Sequence, residues 1–488
     1  MSTAAATTMV LVLGLSAEAP IDIGSRLEMM VDDYLIDTME GQARLCLHRP
    51  TAREVAVVHD ALWEGNSCGY HVVFQDGNRY RMYYRGFEQT LKGEPSRKTM
   101  VACYAESTDG IQWRKPNLGL IEYEGSAANN IIWIGTAAHD FTVFKDACPE
   151  CAPEAQYKAV AHGEDGLCAF QSADGIHWSR MNDGKAIITK GAFDSENLAF
   201  WDSVRGEYRA YVRDFRDGVR DIRTATSQDF IHWGDPEWLE YPGASKEQLY
   251  TNQVIPYYRA PHIFVGFPTR YTDHGWGAST EALPELEHRR LRYDTSPREG
   301  TALTDGLFMT SRDGRTFKRW GEAFIRPGLR TKGNWVYGDN YQAWGMITTQ
   351  SSIDGAPDEL SVYATESYWT GHSCQLRRYT LRVDGFVSVN APLDGGEFVT
   401  KPLVFDGKWL VLNFSTSAAG SIRIEIRDAA GNPIDGYTLA DAPEIFGDAL
   451  DLRTPWKQGN DLATLAGRPV RLRFVLRDAD LYSFQFQE

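Results

Sequence analysis

The chain has 488 residues, of which 43% are hydrophobic and 24% charged, and a formal net charge of −16. That length calls for two domains, or for one large domain with an appendage. The acidic balance argues against nucleic acid or an anionic membrane as partner, since both need a basic surface.

The N-terminal text "MSTAAATTMVLVLGLSAEAP" has a short apolar run and an Ala-x-Ala that ends at Ala19. It reads as a secretory signal over residues 1–19, although no Lys or Arg opens it. The expected location is therefore secreted or periplasmic, with the cytoplasm as the alternative. No later segment has the length and apolarity of a membrane span. Next comes "VDDYLID" (31–37), a strand or turn expected to pack onto the repeats that follow or to help close them into a ring.

From about residue 62 the sequence repeats itself. "AESTDGIQW" (105–113) returns as "FQSADGIHW" (170–178), "ATSQDFIHW" (225–233) and, more weakly, "MTSRDGRTF" (309–317). Before each copy stand two short strands rich in aromatic and β-branched residues, for example "YHVVFQDGNRYRMYYRGF" (70–87) and "LAFWDSVRGEYRAYVRDF" (198–215). A fifth, divergent unit spans "YQAWGMITTQSSIDGAPDELSVYATESY" (341–368) and then "CQLRRYTLRVDGFVSV". Helical periodicity is almost absent. Units of this size with four strands each predict the blades of a five-bladed β-propeller over residues 20–390. In the recurring motif, Asp and Gly supply the turn between the third and fourth strands. The Trp is expected to pack between neighbouring blades. Asp109, Asp174, Asp229 and Asp313 are thus read as structural.

Seven scattered cysteines make no disulfide framework. "CPEC" (148–151) lacks the second ligand pair that a zinc site needs, and reads as a loop or a surface disulfide. Beyond residue 390 the strands lengthen and alternate, with turns such as "DAAGNPIDG" (428–436). Residues 391–488 are expected to form a C-terminal β-sandwich, so the whole chain is assigned to the all-β class.

In a propeller, the starts of the first strands and the ends of the second strands share one face. The starts supply Trp63, Glu64, Asp140, Asp194, Glu196, Asp339 and Tyr341. The ends supply Arg85, His162, Arg213, Asp214, Arg270, Glu366 and Trp369. Carboxylates among arginines and aromatics suit glycoside hydrolysis, in which one carboxyl protonates the leaving oxygen and another acts as nucleophile or base. Asp140, Asp194, Glu196, Asp339 and Glu366 form the expected catalytic pool, with Asp194 or Glu196 and Glu366 in the acid and base roles. The remaining residues of that rim are expected to bind substrate.

This layout resembles the invertase, inulinase and levanase group, glycoside hydrolase family 32. The repeated part alone also resembles the arabinanases and xylosidases of family 43. "YRMYYRG" followed by "ACYAESTDGIQW" is similar to the blade text of those families. The resemblance implies hydrolysis of a furanoside or related glycan. The catalytic motifs match poorly. The invertase group opens its first blade on a W-x-N-D-P nucleophile, where this chain has "LWEGNSCGY" and only Glu64 to stand in. "VRDF", with Arg213 and Asp214, is a partial echo of the R-D-P motif. No counterpart of the acid/base E-C exists, and Glu196 or Glu366 are the candidates. A non-catalytic carbohydrate-binding propeller is the alternative, and a lyase or phosphorylase is a third reading, since fold does not fix function. A carbohydrate is the expected partner. No cofactor is expected; a calcium in the central channel is conceivable, but no ligand spacing signals one.

Overall fold

A computed structural model of the chain describes residues 19–95 and 99–488. The expected signal segment therefore lies outside the described residues up to position 18. The chain is all-β, with 46% strand and 6% helix. No helix among the described residues is long and apolar enough to cross a membrane.

The chain divides into two units, one formed by Cys46–Ser388 and the other by Met1–Leu45 together with Val389–Glu488. In the second of these, two long strands, Trp409–Asp428 and Val470–Gln487, pair antiparallel along most of their length. Alternate residues Leu472, Phe474 and Leu476 are fully buried, as are Ile422, Ile424 and Ile426 opposite them. The N-terminal segment joins this unit. Ile21–Gly24 runs parallel to Leu403–Phe405, and Ile36–Gly41 pairs with Gly396–Thr400. "VDDYLID" thus leads into a strand of this sheet. It does not supply the strand that closes the repeats.

Among the described residues the larger unit contains six antiparallel sheets: a three-stranded one of Gln248–Leu249, Thr269–Asp273 and Ala302–Gly306, and five of four or five strands that follow one another along the chain. The first is Gly69–Asp76, Arg79–Gly86, Val101–Ser107 and Ile131–Ile134. The second is Thr142–Lys145, Tyr157–His162, Leu167–Ser172 and Ser179–Arg180, with Ala186–Ile188 added beside the third strand. The third runs from Leu198–Asp202 through Glu207–Arg216 and Val219–Ser227 to Glu237–Trp238. The fourth is Ile255–Tyr257, Ala260–Gly266, Met309–Ser311 and Phe317–Arg319. The fifth takes Ile347–Thr349, Glu359–Glu366 and Cys374–Leu381 from the end of the unit and Thr51–His59 from its beginning. That last strand occupies the place expected for "FVSV", whose residues from Val389 onward belong to the other unit.

Three of the five junctions between successive sheets are fastened at the recurring turn. Ser107 Oγ and Asp109 Oδ1 lie 2.8 Å apart, and Asp109 Oδ1 accepts from the amides of Ile111 and Gln112. Trp113 folds back to donate to the Gly110 carbonyl at 3.2 Å. The Trp178 and Trp233 indoles do the same in their own turns. The same carbonyl position then takes a tyrosine from the preceding sheet. Tyr83 donates to Gly175 O at 3.0 Å, Tyr211 to Gly314 O at 2.8 Å, and Tyr363, from the fifth sheet, to Gly110 O of the first. Between the fourth and fifth sheets, Tyr257 donates to the Asp384 carboxylate at 2.7 Å. Between the second and third, Tyr208 donates to Asp146 at 2.7 Å. Last and first sheets meet again near their inner strands, where Trp344 N donates to His71 O and Val73 N to Trp344 O. Gly345 there has φ +97°, and a Cβ would lie 2.1 Å from the Val73 carbonyl, so no other residue fits without a shift. A channel-like cavity of about 430 Å³ is lined by Val72, Val143, Phe200 and Ile255 from the first strands of four sheets and by Trp344 and Gly345, just before the fifth.

One part of this unit is helical. Between Thr269–Asp273 and Ala302–Gly306 the chain forms Ala278–Glu281, Leu286–Thr295 and Pro297–Thr301. The middle helix, "LEHRRLRYDT", buries Arg289 and Arg292 where an apolar stripe would ordinarily lie. With charge on its inner face, it carries no hydrophobic period to read.

Candidate functional site

The site is built where the second and third sheets begin. Asp140 and Asn197 stand just before the first strands of those sheets. Asn197 Nδ2 donates to Asp140 Oδ2 at 3.0 Å and to the carbonyls of Phe193 and Ser195 at 2.8 Å. Its Oδ1 accepts the Arg213 amide at 3.1 Å. One buried amide thus shapes the 193–195 loop and ties it to both strands. The loop holds Asp194 out toward solvent, with its side chain 72% exposed.

Around Asp194 lies a cleft of about 510 Å³ whose walls include His162, Phe193, Arg213, Phe215, Arg220 and Tyr250. Arg298, from the helical insertion, also reaches it. His139 Nε2 sits 3.0 Å from Asp194 Oδ1, at ion-pair distance though off the line of a straight hydrogen bond. His139 Nδ1 is 3.4 Å from Arg85 Nη1, so the guanidinium donates to it and the ring proton faces Asp194. The His139 contact, with Arg213 and Arg298 nearby, holds the Asp194 carboxyl below its usual range. Burial holds His139 itself below the ordinary imidazole value and so favours the neutral ring.

Two nearby carboxyls that do not line the cleft are shifted the opposite way. Asp140 is fully buried, and burial pushes its pKa up to about 8, against hydrogen bonds from the His162 amide and Asn197. Glu196 is 1% exposed, and burial with Asp140 nearby pushes it well above the carboxylate range. Gln253 Nε2 donates to Glu196 Oε2, while Oε1 has no partner among the described residues. Burial thus favours the neutral forms of Asp140 and Glu196, while the contacts of Asp194 favour its ionised form.

Aromatic side chains floor the neighbouring ground. Tyr70, Tyr250, Tyr271, Tyr337 and Tyr341 form one buried group, with Tyr250 and Tyr341 ring centroids 5.3 Å apart. Arg85 lies over the Tyr70 ring at 4.6 Å and donates to Ser67 O. Three non-glycine residues at the entries to first strands, Tyr70, Gln253 and Asn340, have positive φ. So do Ser367 and Trp369, which follow the second strand of the fifth sheet. Such conformations cost about 1–3 kcal/mol each and gather where function constrains the backbone.

Of the residues expected on the rim, the structure brings together Asp140, Asp194, Glu196, Arg85, His162 and Arg213, with Tyr341 in the adjoining aromatic group. The others lie elsewhere. Glu366 is paired with Arg377 at 2.6 Å and with the Tyr379 hydroxyl at 3.3 Å. Asp339 is buried against the Tyr368 amide, and burial holds it well above the usual range. Asp214 pairs with Arg223 at 3.0 Å. Arg270 forks onto Asp305 and reaches Glu247. Trp369 is 1% exposed under the Arg292 guanidinium. Trp63 donates to Asn130 at 2.7 Å and packs in the first sheet's core.

Glu64 is fully buried and takes Tyr84, Lys115 and the Ala61 amide. Burial alone would raise its pKa, but His59 and Lys115 outweigh it and bring the value down to about 2. Glu366, Asp214 and Arg270 are engaged in pairs within their own sheets. Alternation along a strand turns neighbours to opposite faces. Glu366 and Asp214 each stand one residue past the position equivalent to Arg213. Three cleft residues went unnoticed in the sequence, Phe215, Arg220 and Arg298, as did Asn197, which shapes the loop beside them. Asn197 directly follows the expected "DSE", and Arg298 needs the helical insertion to arrive. Among the described residues, no group of three His, Cys, Asp or Glu side chains could hold a metal ion.

No family model matches the sequence, and no curated protein matches it. Solved structures that it is similar to include the GH32 beta-fructofuranosidase of Bombyx mori, at 9% identity over 91% of this chain and 94% of that one, with a TM-score of 0.38. Another is the catalytic domain of the Coprinopsis cinerea GH62 alpha-L-arabinofuranosidase, at 9% identity over 69% and 99%, with a TM-score of 0.40. A third is an N-acetylgalactosamine deacetylase from F. plautii, at 13% identity over 70% and 96%, with a TM-score of 0.42. A likeness this weak assigns no activity.

Proposed function

We propose that the protein is a carbohydrate-active hydrolase of the glycosidase kind, working at the cleft around Asp194. The five sheets are read as the blades of a five-bladed propeller, and the unit around Trp409–Asp428 and Val470–Gln487 as a β-sandwich. The propeller reading is supported by the ring of sheet-to-sheet tyrosine bonds and by the shared channel.

One observation carries the functional reading. Neighbouring carboxyls are held in opposite protonation states, with Asp194 ionised in the open cleft and Asp140 protonated beneath it. Glycoside hydrolysis needs that division, and environments that push carboxyl pKa values apart assign the roles. Asp194 is then the nucleophile or the base on a water. Asp140 is the proton source, with Glu196 as a second neutral carboxyl behind it. Arg213 and Tyr250 position the sugar, the first through charge and the second through its ring face.

The test is release of reducing ends from a panel of plant and microbial glycans. Asp194→Asn is expected to lower turnover about 10²–10⁴-fold with binding retained. Turnover unchanged in that variant removes Asp194 from the chemistry. The second reading, a sugar-binding protein without catalysis, draws on one observation: Asp140 is fully buried and both its oxygens already accept hydrogen bonds. A wild-type protein that binds glycans and cleaves none would establish it.

A further inference from the structure

We infer that the cleft takes an acidic sugar, a uronic acid whose carboxylate is held by Arg213 and Arg220. This rests on the reading of the cleft as a carbohydrate site and adds the substrate's charge.

The two arginines are unusual in this chain. Most guanidiniums near its surface are matched to carboxylates, as Arg270 is to Asp305 and Arg377 to Glu366. Arg213 and Arg220 have no carboxylate at ion-pair distance among the described residues. Arg213 is 4% exposed, yet its partners are neutral: Nε donates to Ala192 O at 2.7 Å and Nη2 to Asp194 O at 2.6 Å. Arg220 donates to the Gln248 amide oxygen, and its Nε is buried without a partner. Both guanidiniums lie against Phe215, at 4.9 and 5.5 Å from the ring. Both line the same cleft. A buried cation satisfied only by neutral groups leaves a charge for a ligand to complete.

The other charged groups that face the cleft do not cancel this. Asp194 is engaged by His139. Glu164 and Asp165 lie on the exposed turn that follows His162, in contact with water. Arg298 adds a third cation, over the Tyr337 ring and 3.5 Å from Glu299. The chain as a whole is strongly acidic, so an anionic ligand is repelled by the general surface and held only where arginines are concentrated. Arg220 also lies over the Tyr250 and Tyr271 rings at 5.3 and 4.8 Å. Those rings are buried and back the guanidinium where it lines the cleft, and a guanidinium fork suits a planar carboxylate.

The experiment is calorimetric titration of the full chain with galacturonate and glucuronate oligosaccharides, the matching neutral oligosaccharides and a sulfated sugar. Uronates are expected to bind about 10-fold or more tighter than their neutral counterparts, the scale of one charge-assisted hydrogen bond. Raised salt should narrow that margin. Arg220→Gln is expected to abolish the preference, and Arg220→Lys to restore part of it. Equal affinity for acidic and neutral sugars overturns the inference. So does a preference that survives in Arg220→Gln and in Arg213→Gln, or a stronger preference for the sulfated sugar. Binding is read without turnover, so the two proposals fail separately. Uronate binding without cleavage leaves this inference standing and ends the hydrolase reading. Cleavage of neutral glycans with no acidic preference does the reverse.

Discussion

Asn197 donates to Asp140 at 3.0 Å across 57 residues of sequence, and that bond joins the second sheet to the third directly beneath the cleft. The same side chain bonds the loop that carries Asp194 and the strand that carries Arg213. Asn197→Ala should therefore cost about 2–4 kcal/mol, because buried partners on three segments lose their bonds together. Thermal or urea unfolding gives the number. Glycan binding should weaken in the same variant. A loss of stability under about 0.5 kcal/mol would show that Asn197 is not the organiser.

Asp140 makes stability pH-dependent in a stated direction. Its folded pKa of about 8 lies above the unfolded value of 3.8, so the folded state binds the extra proton between those limits. Unfolding free energy should then fall as pH rises from 4 to 8, by up to about 1.4 kcal/mol per unit. Burial gives Glu196 and Asp339 shifts of the same sign. Asp140→Asn, which is neutral and of the same shape, should flatten the curve. Urea denaturation of both proteins at pH 5 and pH 7.5 checks this, and parallel curves would refute the protonated state.

Glu64 runs the other way. Its folded pKa of about 2 lies below the ordinary carboxylate value of 4.5, so its contribution is present above pH 4.5 and is lost as pH falls through 2. Its charge depends on Lys115, 2.7 Å away. Lys115→Ala would leave a buried carboxylate with less compensation and should cost about 3–5 kcal/mol. Lys115→Arg should recover part of that. If glycan binding falls while stability does not, Glu64 belongs to the substrate rather than to the frame.

The tyrosine latch predicts a further cost. Gly175 has φ +78°, and a Cβ there would lie 2.6 Å from the Tyr83 hydroxyl. Gly175→Ala should destabilise by about 1–3 kcal/mol through strain and the broken bond. Tyr83→Phe, which removes the hydroxyl alone, should cost about 1 kcal/mol. Denaturation midpoints separate the two, and equal stability of Gly175→Ala and wild type would sink the latch.

The repeat itself shows where sequence and structure agree. "YRMYYRG", "YKAVAHG" and "YRAYVRD" align Tyr83, Val160 and Tyr211. The two tyrosines face glycine carbonyls in the next sheet's turn. The turn that follows the sheet with Val160 carries Phe230 in place of glycine, at φ +69° and fully buried. Phe230 packs on Phe144 and Tyr208, in the place where the latch would be. The covariation was legible once the units were aligned, but its meaning needed the neighbouring sheet.

Sequence by itself determined the strand-rich class, the five repeated units and the structural character of the Ser-Asp-Gly-Trp turn. All of these are local, set by period-two alternation and by turn chemistry within a few residues. It also put Asp140, Asp194, Glu196, His162 and Arg213 at two recurring repeat positions, because repeat position fixes which end of a strand a residue occupies. Tertiary structure alone decided which of those groups are charged. Asp140 and Asp194 are the same residue type, and they differ in protonation because one is desolvated behind Asn197 while the other faces His139 and water. It also decided that Thr51–His59 completes the fifth sheet, and that Arg298 reaches the cleft from a helix with no apolar stripe. Burial, ion pairing and the completion of the fifth sheet depend on residues far apart in the chain, and no local pattern encodes them.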